Sequence, residues 1–220
     1  MIILIFTFFL TGLLSGFLAG LLGVGGGIII VPVSYFVLLN LGYSNEVVMH
    51  VSVASSLAVI VFTSISSIRS HFKLENIDYK VIQKWCTGIV IGSIFGSFLA
   101  SKINGEILVL VFVSLAFLIS INMFFQKNIK VMKKNIPDSL FVNILISGFI
   151  GFLSSLIGIG GGSFSVPALS MFSRKIHRAV GTSAVLGFFI ALPGAVSYIF
   201  LGLNERNLPP FSLGYVNILI

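Results

Sequence analysis

GLLGVGGGIIIVP at residues 20–32 returns as SLIGIGGGSFSVP at residues 155–167. The offset is 158 − 23 = 135 for the first glycines and 167 − 32 = 135 for the prolines, and Gly16 and Gly151 share that register. Downstream, His50-Val51-Ser52-Val53-Ala54-Ser55-Ser56 matches His177-Arg178-Ala179-Val180-Gly181-Thr182-Ser183 at an offset of 177 − 50 = 127. The second copy is therefore shorter by 135 − 127 = 8 residues between the two blocks. Two correlated blocks separated by one small deletion read as an internal duplication.

The surroundings of these blocks set the solvent. The chain has 220 residues, 57% of them apolar and 9% charged, against roughly 25% charged in an average soluble domain. No Lys or Arg occurs in residues 1–68 or 139–173, and such stretches exceed the ~20 apolar residues that span a bilayer. A soluble enzyme, a nucleic-acid-binding domain, a disordered chain and a disulfide scaffold are excluded. The net charge of +7 is gathered in loops, where it orients helices in the bilayer rather than binding nucleic acid. Cys86 has no partner for a disulfide or a CxxC site and reads as a small core residue. His50, His71 and His177 lack metal-ligand spacing, so neither metal nor cofactor is expected. No basic residue precedes the apolar N-terminus, which reads as a retained helix rather than a cleaved signal peptide.

Apolar segments are expected at residues 2–22, 28–41, 51–68, 85–100, 107–125, 140–157, 163–172 and 179–201, with the start of a further span at 211–220. The basic loops at 69–84, 126–138 and 173–178 are placed on the cytoplasmic side by the positive-inside rule. Residues 140–172 must then enter the membrane and return, as a hairpin around the glycines. The predicted fold is an all-α polytopic membrane protein of two inverted repeats, each a Gly-broken helical hairpin plus three spans. Residues 1–125 form the first repeat, 126–138 a basic cytoplasmic linker, and 139–220 the second repeat. That second repeat is expected to be truncated, because the sequence stops inside an apolar stretch.

Broken helices persist in a membrane only where protein packs them or where they line a wet cavity. Glycine lets another group approach the backbone closely. The helix that restarts after the break directs free N–H groups and partial positive charge at the cavity, which suits an anion. Gly25, Gly26 and Gly27 with Gly160, Gly161 and Gly162 are therefore candidate backbone donors to a small anionic substrate. The competing structural reading is a tight turn or close packing. Ser55, Ser56, Thr182 and Ser183 add candidate hydroxyl donors, set against bonding back to their own helical turn. His50, His177 and Glu46 are candidates for a proton-linked role, set against an ordinary interfacial one. Two stripes at i, i+4, i+8, Gly12/Gly16/Gly20 and Gly88/Gly92/Gly96, read as faces for close helix contact. Pro193 implies a kink, and Pro32 and Pro167 mark helix starts or bends. No Asp, Glu, Lys or Arg stands inside a span, so the site is neutral and donor-rich, better matched to an anion than to a metal cation.

On the early GLLGVGGGIIIVP block, its echo SLIGIGGGSFSVPAL, HRAVGTSA at 177–184 and LPPFSLGYVNI at 208–218, the chain resembles the TauE/SafE sulfite-exporter family. The resemblance implies a transporter in a bacterial-type plasma membrane that exports a sulfur-containing anion such as sulfite or an organosulfonate, or another small organic anion. Two features depart from the family pattern: Ala54-Ser55-Ser56 replaces a GTS-like triplet in the first repeat, and the final spans are missing.

The function expected is a secondary carrier working by alternating access around the two GxGGG breaks. An uncoupled channel or facilitator uses the same donors, and a non-transporting membrane subunit is a third reading. An intramembrane enzyme would need a nucleophile and base or a metal set, and none is evident, so no enzymatic activity is expected. The expected partners are the small anion and the lipid bilayer, with no nucleic acid; a homo-oligomer is compatible with the sequence.

Overall fold

The structure, a computed structural model, describes residues 2–22, 26–124, 136–172 and 174–220. Gly25, and Lys127, Lys130, Lys133 and Lys134 of the basic linker, lie outside the described residues. The described chain runs α1 Ile2–Leu22, α2 Gly27–Asn40, α3 Asn45–Lys73, α4 Tyr79–Lys102, α5 Gly105–Phe124, α6 Leu140–Leu156, α7 Gly162–Met171 and α8 Ile176–Gly202. It ends in a small hairpin, β1 Ser212–Leu213 and β2 Val216–Asn217. Among the described residues four helices are long and apolar enough to cross a membrane: Asn45–Lys73, Tyr79–Lys102, Gly105–Asn122 and Ile176–Gly202.

Capping explains why α3 and α4 outrun the spans expected from hydropathy. Ser44 Oγ accepts the Glu46 N–H at 3.3 Å, and Glu46 places an acid in the first turn, where the helix dipole favours it. At the other end His71 and Lys73 stand in the last turn, where positive charge is favoured. Arg69, which closes the apolar run in the sequence, therefore lies inside α3. Asp78 Oδ1 accepts the Val81 N–H at 3.4 Å and starts α4 six residues before Trp85.

The second glycine segment ends one helix and starts another. Gly158 takes φ +69, a left-handed conformation that costs glycine little. The Ile159 N–H then donates to the Ser154 carbonyl at 3.0 Å, the six-to-one bond of a Schellman cap that stops α6. α7 begins four residues after Gly158, at Gly162. Pro32 and Pro167 are both sixth in their helices, so each removes one ladder hydrogen bond in the second turn.

The packing is paired. α1 packs on α2 and α2 on α3; α6 packs on α7 and α7 on α8; α3 and α8 lie against each other between these groups. α4 runs along α6 and also touches α8. The α4–α6 contact is close because it is made of glycine and serine. A Cβ on Gly92 would collide with the Gly148 backbone, one on Gly88 with Ser147 and Ile144, and one on Gly96 with Ser155 and Phe152. Trp85, fully buried, donates from Nε1 to Asn143 Oδ1 at 3.0 Å. Asn143 Nδ2 donates in turn to the Pro137 and Ser139 carbonyls. Ser93 Oγ donates to the Ile190 carbonyl at 2.6 Å and ties α4 to α8.

Two expectations are corrected. Residues 211–220 do not begin a helical span. Ser212 pairs with Asn217 and Leu213 with Val216 in an antiparallel hairpin whose turn Gly214 has φ +55. The cause is Asn217, whose buried amide donates to the Pro210 carbonyl and Ser212 Oγ, both at 2.9 Å, and so folds the segment on itself. These two-residue strands are a local turn in a chain that is otherwise helical, as expected. The second correction concerns Gly12 and Gly16, expected in a close helix contact. A Cβ on either would meet nothing within 4 Å, and both are exposed.

Candidate functional site

The two glycine segments meet. Gly27 is buried, and a Cβ there would collide with the Gly158 carbonyl and stand 2.9 Å from Ile159 Cα and 3.0 Å from Ser56 Oγ. Ser56 Oγ donates to the Gly158 carbonyl at 2.8 Å, so α3 holds the second glycine segment directly under the start of α2. Gly161 is equally tight against α8, since a Cβ there would stand 2.8 Å from the Gly187 nitrogen and 3.0 Å from the Ser183 carbonyl.

Beside this junction lies a cavity of about 450 Å³. Gly26 and the run Gly160, Gly161 and Gly162 line it, with Ser183 and Gly187 of α8 and Gly12, Ser15 and Gly16 of α1. α3 supplies the longest wall, which includes Thr63, Ser64, Ser67, Ser70 and His71. Among the described residues that line it there is no Asp, Glu, Lys or Arg. α2 and α7 both start beside the cavity from glycine N-caps, Gly26 and Gly161, with helical dihedrals and no side-chain cap bond. Two helix N-termini, hydroxyls and one imidazole around a space without formal charge make a neutral, donor-bearing chamber.

Of the hydroxyls expected at the site, Ser183 lines the cavity, and its Oγ donates to the Val180 carbonyl at 2.8 Å. Ser56 holds the glycine segment as described. Ser55 and Thr182 are placed differently, and reciprocally. Ser55 Oγ on α3 accepts the N–H of Asn217, from the segment after α8, at 2.9 Å. Thr182 Oγ1 on α8 accepts the N–H of Asp78, from the segment after α3, at 2.9 Å. The two hydroxyls, equivalent in the repeat, clasp the chain leaving the opposite half. Asp78 is further held by Arg174 at 3.2 Å.

The three residues considered for a proton-linked role lie away from the cavity. His50 is buried between Tyr215, stacked at 5.2 Å, and three backbone carbonyls: Glu46 O is 2.9 Å from Nδ1, and Ala100 O and Ile103 O are each 3.0 Å from Nε2. His177 and Glu46 are exposed. His71 instead reaches the chamber, and its Nδ1 is buried without a hydrogen-bond partner among the described residues. Hydropathy does not single out His71 and the serines below it, because Arg69 marks the end of the expected span at Ile68. The signal was present as hydroxyl residues repeating in the VFTSISSIRSH run at residues 61–71. Those hydroxyls now bond back along α3, Ser64 Oγ to Val61 O at 3.0 Å and Ser70 Oγ to Ser66 O at 3.3 Å. Rotation about the C–O bond can redirect such hydrogens to a ligand. Among the described residues no group of three or more His, Cys, Asp and Glu is placed to hold a metal.

Comparison with known proteins follows the same outline. No solved structure matches the chain. A probable membrane transporter protein of Haemophilus influenzae is 33% identical over 209 residues, covering 94% of this chain and 78% of that protein. The probable membrane transporter protein YunE of Bacillus subtilis is 31% identical over 211 residues, covering 87% of this chain and 77% of its own length. A probable membrane transporter protein of Methanocaldococcus jannaschii is 31% identical, covering 95% of this chain and 76% of its own length. The family described as sulfite exporter TauE/SafE matches residues 8–219, and the chain belongs to that family of membrane transporters.

Proposed function

We propose that this chain is a secondary carrier of a small anion in a bacterial-type plasma membrane, with sulfite and organosulfonates as the substrates to test first. The observation that carries the reading is the chamber in which Gly26 and Gly160, Gly161 and Gly162 stand together with no charged residue among the described residues that line it. Glycine removes the side chains that would cover the amides, and the helix N-termini supply partial positive charge. An anion held by such groups is bound without a buried counter-ion, and it leaves without breaking an ion pair.

The mechanism is alternating access between inverted repeats, each carrying one glycine break. The paired contacts α1–α2–α3 and α6–α7–α8, and the reciprocal clasp of Ser55 and Thr182, support that symmetry. Rocking one half against the other around α3 and α8 opens the chamber to alternate sides. Flux of radiolabelled sulfite and sulfonates in proteoliposomes, under imposed proton gradients, tests the proposal. Gradient-driven accumulation is expected. Flux indifferent to proton and sodium gradients would make the protein a facilitator, and no flux of any small anion would end the proposal.

A further inference from the structure

α3 and α8 align at the offset of 127 set by His50 and His177, and the walls they give the chamber differ. Ser56 and Ile60 of α3 align with Ser183 and Gly187 of α8, and Ile60, Ser183 and Gly187 line the chamber. Beyond them the two helices diverge. Thr63, Ser64, Ser67 and His71 of α3 line the space, whereas the aligned residues of α8 are Ile190, Ala191, Gly194 and Tyr198. Ile190, Ala191 and Tyr198 are fully buried, and the Tyr198 hydroxyl donates to the Ser155 carbonyl at 3.5 Å. Packing at these positions therefore does not require a polar column. α3 has one where a cavity stands beside it, and His71 is its last member.

A second, independent observation concerns the imidazoles. His50 has carbonyls at 2.9 and 3.0 Å from its two ring nitrogens, which hold it in place, and His177 is exposed. The half-buried His71 differs from both, because its Nδ1 is buried with no hydrogen-bond partner among the described residues. A buried polar atom left unpaired is uncommon and calls for a partner at some stage of function. His71 is also the one titratable side chain among the described residues that line the chamber. α1, α2, the second glycine run and α8 bring none to that lining among their described residues. Of the neighbours along the chain, Arg69, Lys73 and Glu75 are exposed, as are Lys175, His177 and Arg178. Asp78 is paired with Arg174. None of these lines the chamber.

An anion buried without compensating charge is costly, and helix N-termini supply only partial charge. Imidazole is the side chain whose ordinary proton affinity lies in the physiological range. A neighbouring anion favours its charged form, and so does its place in the last turn of α3. We infer that His71 is the proton-linked residue of the chamber: its imidazole takes a proton from water as the anion enters and returns it to water as the anion leaves, so that one proton travels with each monovalent anion. The inference rests on the reading of this chamber as the anion's site. The counter-charge arrives and departs with the substrate, so no ion pair is left standing in the empty chamber.

The test uses the full chain in proteoliposomes with radiolabelled methanesulfonate, an anion of fixed charge, so that any proton moved is carried by the protein. Two modes are measured: exchange of anion across the membrane without a gradient, and accumulation driven by an inward proton gradient. For one proton per anion, a pH difference of about one unit should concentrate the anion about tenfold in the unaltered protein. His71→Gln and His71→Asn should each keep exchange and lose accumulation. An indicator dye in weakly buffered detergent solution should also record proton uptake by the unaltered protein when methanesulfonate is added. Accumulation that survives either substitution would overturn the inference, as would the absence of proton uptake. Loss of exchange in both variants would make the imidazole a fixed anion contact and overturn the proton role. Exchange by the unaltered protein that ignores the gradient would remove this inference and leave the chamber as an anion site. No exchange of methanesulfonate or sulfite at all would remove the carrier reading, and the inference with it.

Discussion

α4 and α1 both carry glycine at every fourth position, and the two stripes have opposite surroundings. Gly88, Gly92 and Gly96 touch the backbone or serines of α6 so closely that no Cβ fits. Gly12 and Gly16 meet nothing within 4 Å of where a Cβ would stand and instead border the chamber. The same spacing therefore gives a dry seam in one helix and an open wall in the other. A periodic run of glycines states only that two backbones can approach. Whether they do depends on what the fold brings opposite.

The contrast breaks most sharply on Gly92. Gly92→Leu forces α4 away from the Gly148 backbone, and overpacking of this kind costs about 3 kcal/mol or more. Loss of monodisperse protein on detergent size exclusion should report it. Asn143→Leu removes the acceptor of the Trp85 indole and strands a buried N–H, for about 2 kcal/mol, read as a lower temperature of thermal aggregation. Gly26→Ala separates function from folding. Its Cβ meets Ile30 at 3.4 Å and Ser15 at 3.5 Å, ordinary contacts, so the fold should hold while anion flux falls about tenfold, equivalent to about 1.4 kcal/mol.

Gly16→Ala sharpens the other side. The methyl enters open space, and better helix propensity changes stability by no more than about 1 kcal/mol, in the stabilising direction. Destabilisation comparable to Gly92→Leu would show that the face is already occupied. The smallest effect lies at the end of the α4–α6 seam. The hydrogen bond from Lys84 Nζ at 2.9 Å, and then the Lys84 charge, hold the Asp138 carboxyl below the ordinary aspartate range. A carboxyl lowered on folding adds stability above its unfolded pKa and loses it as pH falls through the folded value. Acid titration of thermal stability should therefore show a small decline below the usual aspartate pKa, absent in Asp138→Asn. Asp138 is fully exposed, so salt should blunt the effect.

Much of the architecture is legible in the residues. The paired blocks around Gly23 and Gly158, and around His50 and His177, announce the duplication, and the helices found at Ile2–Leu22 and Leu140–Leu156 fall where hydropathy places them. The candidate site is only partly legible. Ser55 and Thr182 are alike in the repeat and alike in the structure, but both grip backbone rather than line the chamber. His71 and its serines escape notice because a single arginine looks like the end of a span. The turn at 211–217 is hidden because its apolar residues outweigh Asn217 in any averaged hydropathy, while one satisfied buried amide decides the local fold.

What the sequence determined by itself is the solvent, the likeness of its two glycine blocks and the apolar segments that become helices. These follow from composition, from periodic identity and from hydropathy, all of which are local. What the tertiary structure alone decided is which breaks face each other, which hydroxyls clasp chain and which border space, and which glycine stripe is filled. Those outcomes depend on what lies across a gap, and residues far apart in sequence fix that only when helices pack.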